Sequence, residues 1–416
     1  MKNDKLIGQK NPEVKTFTTT LEEGVRRGAQ NLLMLALNEE VDAFCRRHEE
    51  KLGDNGHRLV VRNGRGKRRR LVSGAGLLEI ELPRVDDRVL ENTEEPRFQS
   101  SLVPPYLRRT KNIEELVPYL YLKGISTGDF TGVLEKLTGE RVLGFSPESV
   151  VRLKQVWEAD YKVWINRDLS TSEYVYFWVD GIYFNVRLAD ERQCLLVIIG
   201  AKKDGTKELV AVEDGFRESK ESWQSVLRDL KRRGLSRGPR LAIGDGALGF
   251  WAALNEEYPD TQTQLCWVHK TANALDKLPQ SLQGKAKQMI HNIYLSPTKK
   301  EGEKAFDSFV QDFELKYPKA VDTLMKHRDR LLTFYDFPAE HWPSIRSTNV
   351  IESTFATVRL RTKKTKGCGS RIATLTMVYK LAESAEKRWR KLRGHKKMAA
   401  VRNGVQFKDG VEWIAA

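Results

Sequence analysis

The sequence lacks any apolar run near the roughly 18 residues that a helix needs to cross a bilayer. Its cysteines are few and scattered, which is typical of a reducing compartment and argues against a disulfide scaffold. They are Cys45, Cys194, Cys266 and Cys368. The first five residues carry charge but no apolar segment follows them, so a secretory signal is not expected. These absences favour a cytoplasmic protein with no membrane partner.

Positive charge, in contrast, is in excess. The chain of 416 residues has 71 Lys and Arg against 56 Asp and Glu, a formal net charge of +15. A cationic surface gains affinity for polyanions because binding releases the counterions of phosphate groups. The composition therefore favours a nucleic-acid partner, although it does not separate DNA from RNA or from an anionic membrane. The length predicts about two to four domains.

The first part of the chain predicts three regions of different character. Residues 1–57 contain leucines at helical spacing and predict an N-terminal helical region. Residues 58–105 hold short apolar runs around Asn63-Gly64, which is typical of a small β element with tight turns. Residues 106–170 predict three short helices. These are compatible with a helix-turn-helix DNA-binding domain, but any small helical domain gives the same pattern.

The β element is strongly basic, with seven basic residues and no acidic one between Arg58 and Arg70. A solvated basic turn explains this segment as well as a hairpin that grips DNA phosphates does. In the second interpretation the candidate DNA-binding residues are Arg62, Arg65, Lys67, Arg68, Arg69 and Arg70.

From residue 171 the pattern predicts an α/β fold, with a mixed sheet flanked by helices. The run 174–179 is continuously apolar, as expected of a strand buried on both faces. Further strands are predicted over 182–188, 194–201, 241–243 and 262–268. Residues 271–340 turn almost wholly helical and polar, which indicates an all-helical insertion between residues 171–270, which hold the sheet, and residues 341–382, which predict a further helix. Residues 383–416 form a basic C-terminal tail.

Two aspartates follow predicted strands and stand beside glycines. Asp180 precedes Gly181, and Asp245 lies between Gly244 and Gly246. A carboxylate at the end of a buried strand must find water, a cation or a hydrogen-bond donor, because burying it unpaired is costly. If the two strands are neighbours, the carboxylates converge and offer the hard oxygen ligands that divalent cations prefer. Each aspartate alone is equally well explained as the cap of a turn.

Four short motifs follow one another along the second half of the chain. They are Val179-Asp180-Gly181-Ile182-Tyr183, Ile243-Gly244-Asp245-Gly246-Ala247, Cys266-Trp267-Val268-His269-Lys270 and Ser347-Thr348-Asn349-Val350-Ile351-Glu352-Ser353. In this order, and together with the segment from Arg62 to Arg84, they resemble the motifs of the IS256-type (Mutator-like) family of bacterial transposases, over about residues 60–395. The resemblance implies an RNase H-like mixed sheet, interrupted by the helical insertion and preceded by a DNA-binding region.

The resemblance also implies a catalytic triad of Asp180, Asp245 and Glu352 that binds two Mg²⁺ (or Mn²⁺) ions. Such a site nicks DNA and transfers strands by in-line phosphoryl transfer, first with water and then with the freed 3′-OH. The implied partners are double-stranded DNA, as terminal inverted repeats and target, and a second copy in a homodimer. The expected location is the cytoplasm, in association with the nucleoid.

The Cys-x-x-His block, Cys266 and His269, is half of a zinc site with no second half at plausible spacing. The resemblance places it near the catalytic pocket. His269 either contacts the scissile phosphate or orients a carboxylate, and the sequence leaves both roles open.

Basic residues around Glu352 predict a track for the DNA backbone, with a solvated helix face as the alternative interpretation. The candidates are Arg346, Arg359, Arg361, Lys363, Lys364 and Lys366. Three other functions compete with transposition. They are an RNase H-like nuclease without strand transfer, a domesticated sequence-specific DNA-binding regulator, and a structural basic protein whose three acids lie apart.

Overall fold

The computed structural model describes residues 12–91, 93–122, 125, 129–138, 147–186, 192–246, 249–364 and 370–414. It divides the chain into two compact units, residues 1–150 and 151–416. The division falls within a helix, whereas the sequence places a boundary at residue 170, and the seven-part division stays a prediction. None of the described helices combines the length and apolar character that a membrane-spanning segment requires.

The first unit packs a long helix against short strands. Its elements are α1 (Pro12–Arg47), β1 (Val61–Arg65), β2 (Arg69–Ser73), β3 (Gly76–Ile80), β4 (Pro83–Asp86), α2 (Lys111–Leu122) and α3 (Phe130–Thr138). Strand β1 pairs with β4 and β2 pairs with β3, both antiparallel. Leu37 of α1 is buried with Leu71, Leu78 and Ile80 of the strands. The helix and the β element thus lie where leucine spacing and turn residues predict them.

The second unit contains the sheet. Its elements before the insertion are α4 (Pro147–Ile165, which spans the division), β5 (Tyr174–Phe184), β6 (Gln193–Lys202), β7 (Lys207–Gly215), α5 (Lys220–Arg232), β8 (Leu241–Gly244), α6 (Phe250–Glu257) and β9 (Gln262–Leu265). The strand order is β7-β6-β5-β8-β9. Strands β7, β6 and β5 form an antiparallel meander, whereas β8 and β9 run parallel to β5. The predicted mixed α/β sheet with flanking helices is confirmed.

Three details of the predicted sheet are wrong. The segments predicted as separate strands before and after Gly181 form one strand, β5, because Asp180 and Gly181 remain paired with Val197 and Leu196 of β6. The third strand of the meander is β7, which the sequence pattern does not predict. Strand β9 also ends at Leu265, since the next residues turn into a helix.

The chain after β9 is mainly helical. Its elements are α7 (Trp267–Leu275), α8 (Gln280–Leu295), α9 (Lys299–Phe313), α10 (Pro318–Met325), α11 (Arg328–Leu331), α12 (Trp342–Ile345), α13 (Asn349–Lys364), α14 (Arg371–Glu386), α15 (Met398–Arg402), β10 (Phe407–Lys408) and β11 (Val411–Glu412). Helices α7 to α10 bury Ile290, Phe306 and Phe309 between them. The helical character predicted for residues 271–340 is therefore present, and it begins four residues earlier.

Glu213 of β7 gives the second unit a pH-dependent stability. Its Oε1 is buried without a hydrogen-bond partner in the described part of the chain. Burial, with Asp229 nearby, raises the pKa of Glu213 from 4.5 to about 7. A raised carboxyl pKa means that its contribution to stability is complete below pH 4.5 and is lost as the pH rises through 7.

We therefore expect Glu213→Gln to stabilise the fold at pH 8 and to leave it nearly unchanged at pH 4.5. The gain in the free energy of unfolding at pH 8 is at most about 3 kcal/mol. Thermal unfolding of both proteins at the two pH values measures it. An equal gain at both values would show that ionisation of Glu213 is not its cause.

Candidate active site

The register of the sheet places Asp180 beside Asp245. Strands β5 and β8 are parallel neighbours, and the last pair in their register joins Trp178 to Ile243. Asp180 and Asp245 each lie two residues further along, so they continue the same register. Neighbouring strands lie about 4.8 Å apart, and residues two apart on a strand point to the same face. The register therefore leads Asp180 and Asp245 to the same end of the two strands, and the charges of both act on the pKa of Glu218.

Side chains of β5 show what covers that face. The Tyr176 hydroxyl is 2.7 Å from Nδ1 of His341, and Trp178 Nε1 donates to the Ser344 carbonyl at 2.9 Å. Both residues lie on the same face as Asp180. The segment that leads into α13 therefore packs over this face, and α13 carries Glu352 in its first turn.

The Cys-x-x-His block is built where β9 turns into α7. Cys266 extends the sheet, since its N–H donates to the Gly244 carbonyl at 2.8 Å. His269 lies in the first turn of α7 and is close to Glu352, with 3.8 Å between His269 Nε2 and Glu352 Oε1. The ligand atoms of Cys266, His269 and Glu352 all lie within 4.8 Å of one another.

The electrostatics of these groups are coupled. Burial raises the pKa of Asp180 to about 6, and the charges of His269 and Arg359 act in the opposite direction. The hydrogen bond with Cys266, together with Asp245 and Asp180, raises the pKa of His269 to about 9. Burial alone would raise the pKa of the Cys266 thiol, but hydrogen bonds from His269 and Thr348 lower it. His269 thus lies 3.8 Å from Glu352, and the charges of Asp245 and Asp180 both act on its pKa.

Two further charged residues at this site were not predicted from the sequence. The Glu218 carboxyl packs against Gly181, where a Cβ would overlap it. Burial, followed by the charge of Asp180, raises the pKa of Glu218 to about 7. Lys270 is buried beside Gly246, and burial lowers its pKa although Asp245 opposes the shift. The available signals were weak: Glu218 immediately precedes the Ser219 cap of α5, and Lys270 follows His269.

The comparison with known families decides the identity of the chain. Its sequence matches the model described as "Transposase, Mutator family" over residues 3–392. The chain belongs to the Mutator family of transposases. This transposase is 50% identical over 298 residues to the transposase for insertion sequence element IS6120 of Mycolicibacterium smegmatis, covering 72% of this chain and 92% of that one.

Other relatives of the transposase carry similar names. It is 50% identical over 278 residues to the transposase for insertion sequence element IST2 of Acidithiobacillus ferrooxidans, covering 67% of this chain and 94% of the relative. The transposase for IS256 in transposon Tn4001 of Staphylococcus aureus is 27% identical over 313 residues, which covers 74% of this chain and 76% of that one. The predicted IS256-type resemblance and the transposase function are confirmed. Among solved structures, a chain of a simian T-cell lymphotropic virus intasome complex is 12% identical with a TM-score of 0.19, over 51% of this chain and 65% of that chain, which is too weak to bear on the fold.

The predicted DNA track of the transposase lies partly on described residues. Arg359 is an exposed residue of α13, and its charge lowers the pKa of Asp180. Arg346 is half-buried, and its Nη1 donates to the Tyr294 carbonyl at 2.9 Å while its guanidinium lies 5.1 Å from the Tyr294 ring centroid. The side chains of Arg361, Lys363 and Lys364, and all of Lys366, lie outside the described residues. The DNA contacts of this group stay a prediction.

In the basic β element, several of the predicted DNA-binding side chains of the transposase already have acidic partners. Arg62 Nε donates to Asp42 Oδ1 at 2.7 Å, and both Arg68 and Arg70 pair with Glu79 at 3.3 Å. Arg69 donates to the Leu107 carbonyl, whereas Arg65 and Lys67 are exposed. Phosphate binding by this segment would have to compete with these ion pairs for Arg62, Arg68 and Arg70. For Arg65 and Lys67 it meets no such competition within the described part of the chain.

Proposed function

We propose that the transposase is a DDE-type polynucleotidyl transferase with an RNase H-like core, and that Asp180, Asp245 and Glu352 are its catalytic acids. The observation that carries this proposal is that Asp180 and Asp245 each follow the last β5–β8 pair by two residues, while the charges of both act on the pKa of His269, which lies 3.8 Å from Glu352. The sheet order supports it, because an antiparallel meander followed by two parallel strands is the arrangement expected of such a core. A structural basic protein would need these acids to lie apart.

The residues present fit divalent metal ions. Asp180, Asp245 and Glu352 offer hard oxygen ligands, the kind that Mg²⁺ and Mn²⁺ prefer. Asp180 is 9% exposed, and a cation bound to it would offset the cost of burying its charge. Two bound ions would lower the pKa of an attacking water and stabilise charge on the leaving oxygen. We propose that the three acids hold these ions.

The other residues of the site have supporting roles. His269, whose pKa is raised to about 9, lies 3.8 Å from the Glu352 carboxyl. Lys270 places a second cation near Asp245. The charges of His269 and Lys270 reduce the repulsion among the carboxylates of the site. Both charges also favour the binding of a phosphate group.

The proposed substrate is double-stranded DNA, as the terminal inverted repeats of an insertion sequence and as a target, bound by a homodimer at the nucleoid. A strand-transfer assay tests the proposal. A duplex that ends in a repeat with a free 3′-OH should become joined to target DNA in Mg²⁺ and should remain unjoined in EDTA. Nicking without joining would identify a nuclease, and binding without either reaction would identify a DNA-binding regulator.

The basic track of α13 gives a prediction about DNA affinity. Replacing Arg359, Arg361, Lys363 and Lys364 with glutamine should weaken DNA binding and flatten its salt dependence. The log–log slope should fall by about 0.9 for each DNA phosphate that the protein no longer neutralises. A binding titration at several salt concentrations measures the slope.

The matched control replaces four exposed lysines of the helical insertion, Lys300, Lys304, Lys316 and Lys319, with glutamine. It changes the net charge by the same amount. We expect this control to show a slope near that of the unmodified protein. Equal slopes for both variants would mean that net charge, rather than the α13 track, determines affinity.

A further inference from the structure

The hydroxyl of Thr348 lies among three side chains of the candidate site. Its Oγ1 is 3.3 Å from Cys266 Sγ, 3.4 Å from His269 Nδ1 and 3.3 Å from Glu352 Oε1. Thr348 is fully buried, and its backbone N–H donates to Cys266 Sγ at 3.3 Å. One hydroxyl therefore contacts both members of the Cys-x-x-His block and the third acid.

The local structure explains how Thr348 reaches all three. It immediately precedes α13, and its carbonyl accepts the N–H groups of Ile351 and Glu352. Residues four apart on a helix lie on the same face, so the hydroxyl stands below the Glu352 carboxylate. The backbone N–H of Thr348 is satisfied by the Cys266 sulfur, which holds the start of α13 against the end of β9.

The hydrogen-bonding capacity of a hydroxyl indicates which group accepts the proton of the Thr348 hydroxyl. A hydroxyl donates one proton and accepts at two lone pairs. His269 Nδ1 lies within reach of one lone pair of Oγ1, which leaves the hydroxyl proton for either Glu352 or Cys266. The carboxylate is the better acceptor because hydrogen bonds to an ionised group are roughly twice as strong. His269 itself is 3.8 Å from Glu352, too far for a direct hydrogen bond.

We propose that Thr348 is a positioning residue through which Cys266 and His269 hold the Glu352 carboxylate in the orientation that binds metal. This rests on the proposed function, which assigns Glu352 as a metal ligand. Of the two roles that the sequence leaves open for His269, it favours orienting a carboxylate. Groups that hydrogen-bond to a metal ligand typically change metal affinity by about 10–100-fold when removed.

The test is Mn²⁺ binding to the full chain without DNA, followed by the decrease of the free Mn²⁺ signal in electron paramagnetic resonance. Thr348→Val, which removes the hydroxyl and keeps the size, should weaken binding by about tenfold. Thr348→Ser should recover most of the affinity because it restores the hydroxyl. The matched control is Thr354→Val, on the same helix, where the buried hydroxyl donates only to the Val350 carbonyl at 3.0 Å and binding should not change.

A double variant separates this inference from the function it rests on. If Thr348 acts through Glu352, then Thr348→Val combined with Glu352→Gln should bind Mn²⁺ no more weakly than Glu352→Gln alone. If Glu352→Gln weakens binding but Thr348→Val, or Thr348→Ala should the valine variant unfold, stays within about twofold of the unmodified protein, the positioning role is wrong. If Glu352→Gln has no effect on binding, the metal role of Glu352 is itself wrong, and the inference fails with it.

Discussion

Replacing Asp180 or Asp245 with asparagine should lower Mg²⁺-dependent nicking of terminal-repeat DNA by at least about 10³-fold. The amide keeps the size of the side chain but removes the negative charge. Because Asp180 and Asp245 each follow the last β5–β8 pair by two residues, we expect both to bind the same ions, so that neither can replace the other. Glu352→Gln should act in the same direction. Single-turnover nicking rates at saturating DNA measure the effect.

The control for this prediction is Asp204→Asn. Asp204 caps the turn between β6 and β7 through the N–H of Thr206, and asparagine is equally suited to a turn. This variant should nick at the rate of the unmodified protein. The three active-site variants should still bind repeat DNA, since the expected defect concerns chemistry. Retention of nicking by all three would remove the basis for a DDE assignment.

Disturbing the Glu218 carboxyl should lower the nicking rate by about 10–100-fold, the range seen when a residue that supports metal ligands is removed. Glu218→Gln removes its charge beside Asp180. Gly181→Ala leaves the charge but displaces the carboxyl, because the new methyl group would occupy its place. The two variants should therefore share a raised Mg²⁺ requirement, which a nicking assay over a range of Mg²⁺ concentrations measures.

Glu256→Gln is the matched control for Glu218, since Glu256 lies on the surface of α6 in an ion pair with Lys220. It should leave both the rate and the Mg²⁺ requirement unchanged. Normal Mg²⁺ dependence in both Glu218→Gln and Gly181→Ala would show that Glu218 is a buried acid without a part in the reaction.

Local sequence patterns predicted the part of the site that lies at strand ends. Asp180 and Asp245 are conspicuous in the sequence because each follows an apolar run and adjoins glycine. In the structure both apolar runs are strands of the sheet. Gly181 predicts the end of a strand, because glycine is common where strands break. In the structure β5 continues through Gly181, and the missing side chain leaves room for the Glu218 carboxyl. Strand β7 was missed because its short apolar run lies between acidic residues, and only its pairing with β6 makes it a strand.

The contacts that complete the site join residues far apart in the chain, which no local pattern reveals. Thr348 and Cys266 are 82 positions apart, yet the sulfur accepts the backbone N–H of Thr348 and lies 3.3 Å from its hydroxyl oxygen. Glu218 is near Asp180 only because the meander returns the chain to α5 at that edge of the sheet. The sequence therefore predicts the three acids, but not the residues that contact them in the folded protein.

The most direct test of the metal-binding triad is a crystal structure of the protein with Mn²⁺, studied by anomalous diffraction. We expect anomalous peaks within bonding distance of the Asp180, Asp245 and Glu352 carboxylates, with Asp180 and Asp245 sharing an ion. Ordered Mn²⁺ bound elsewhere, with these three carboxylates unliganded, would refute the triad.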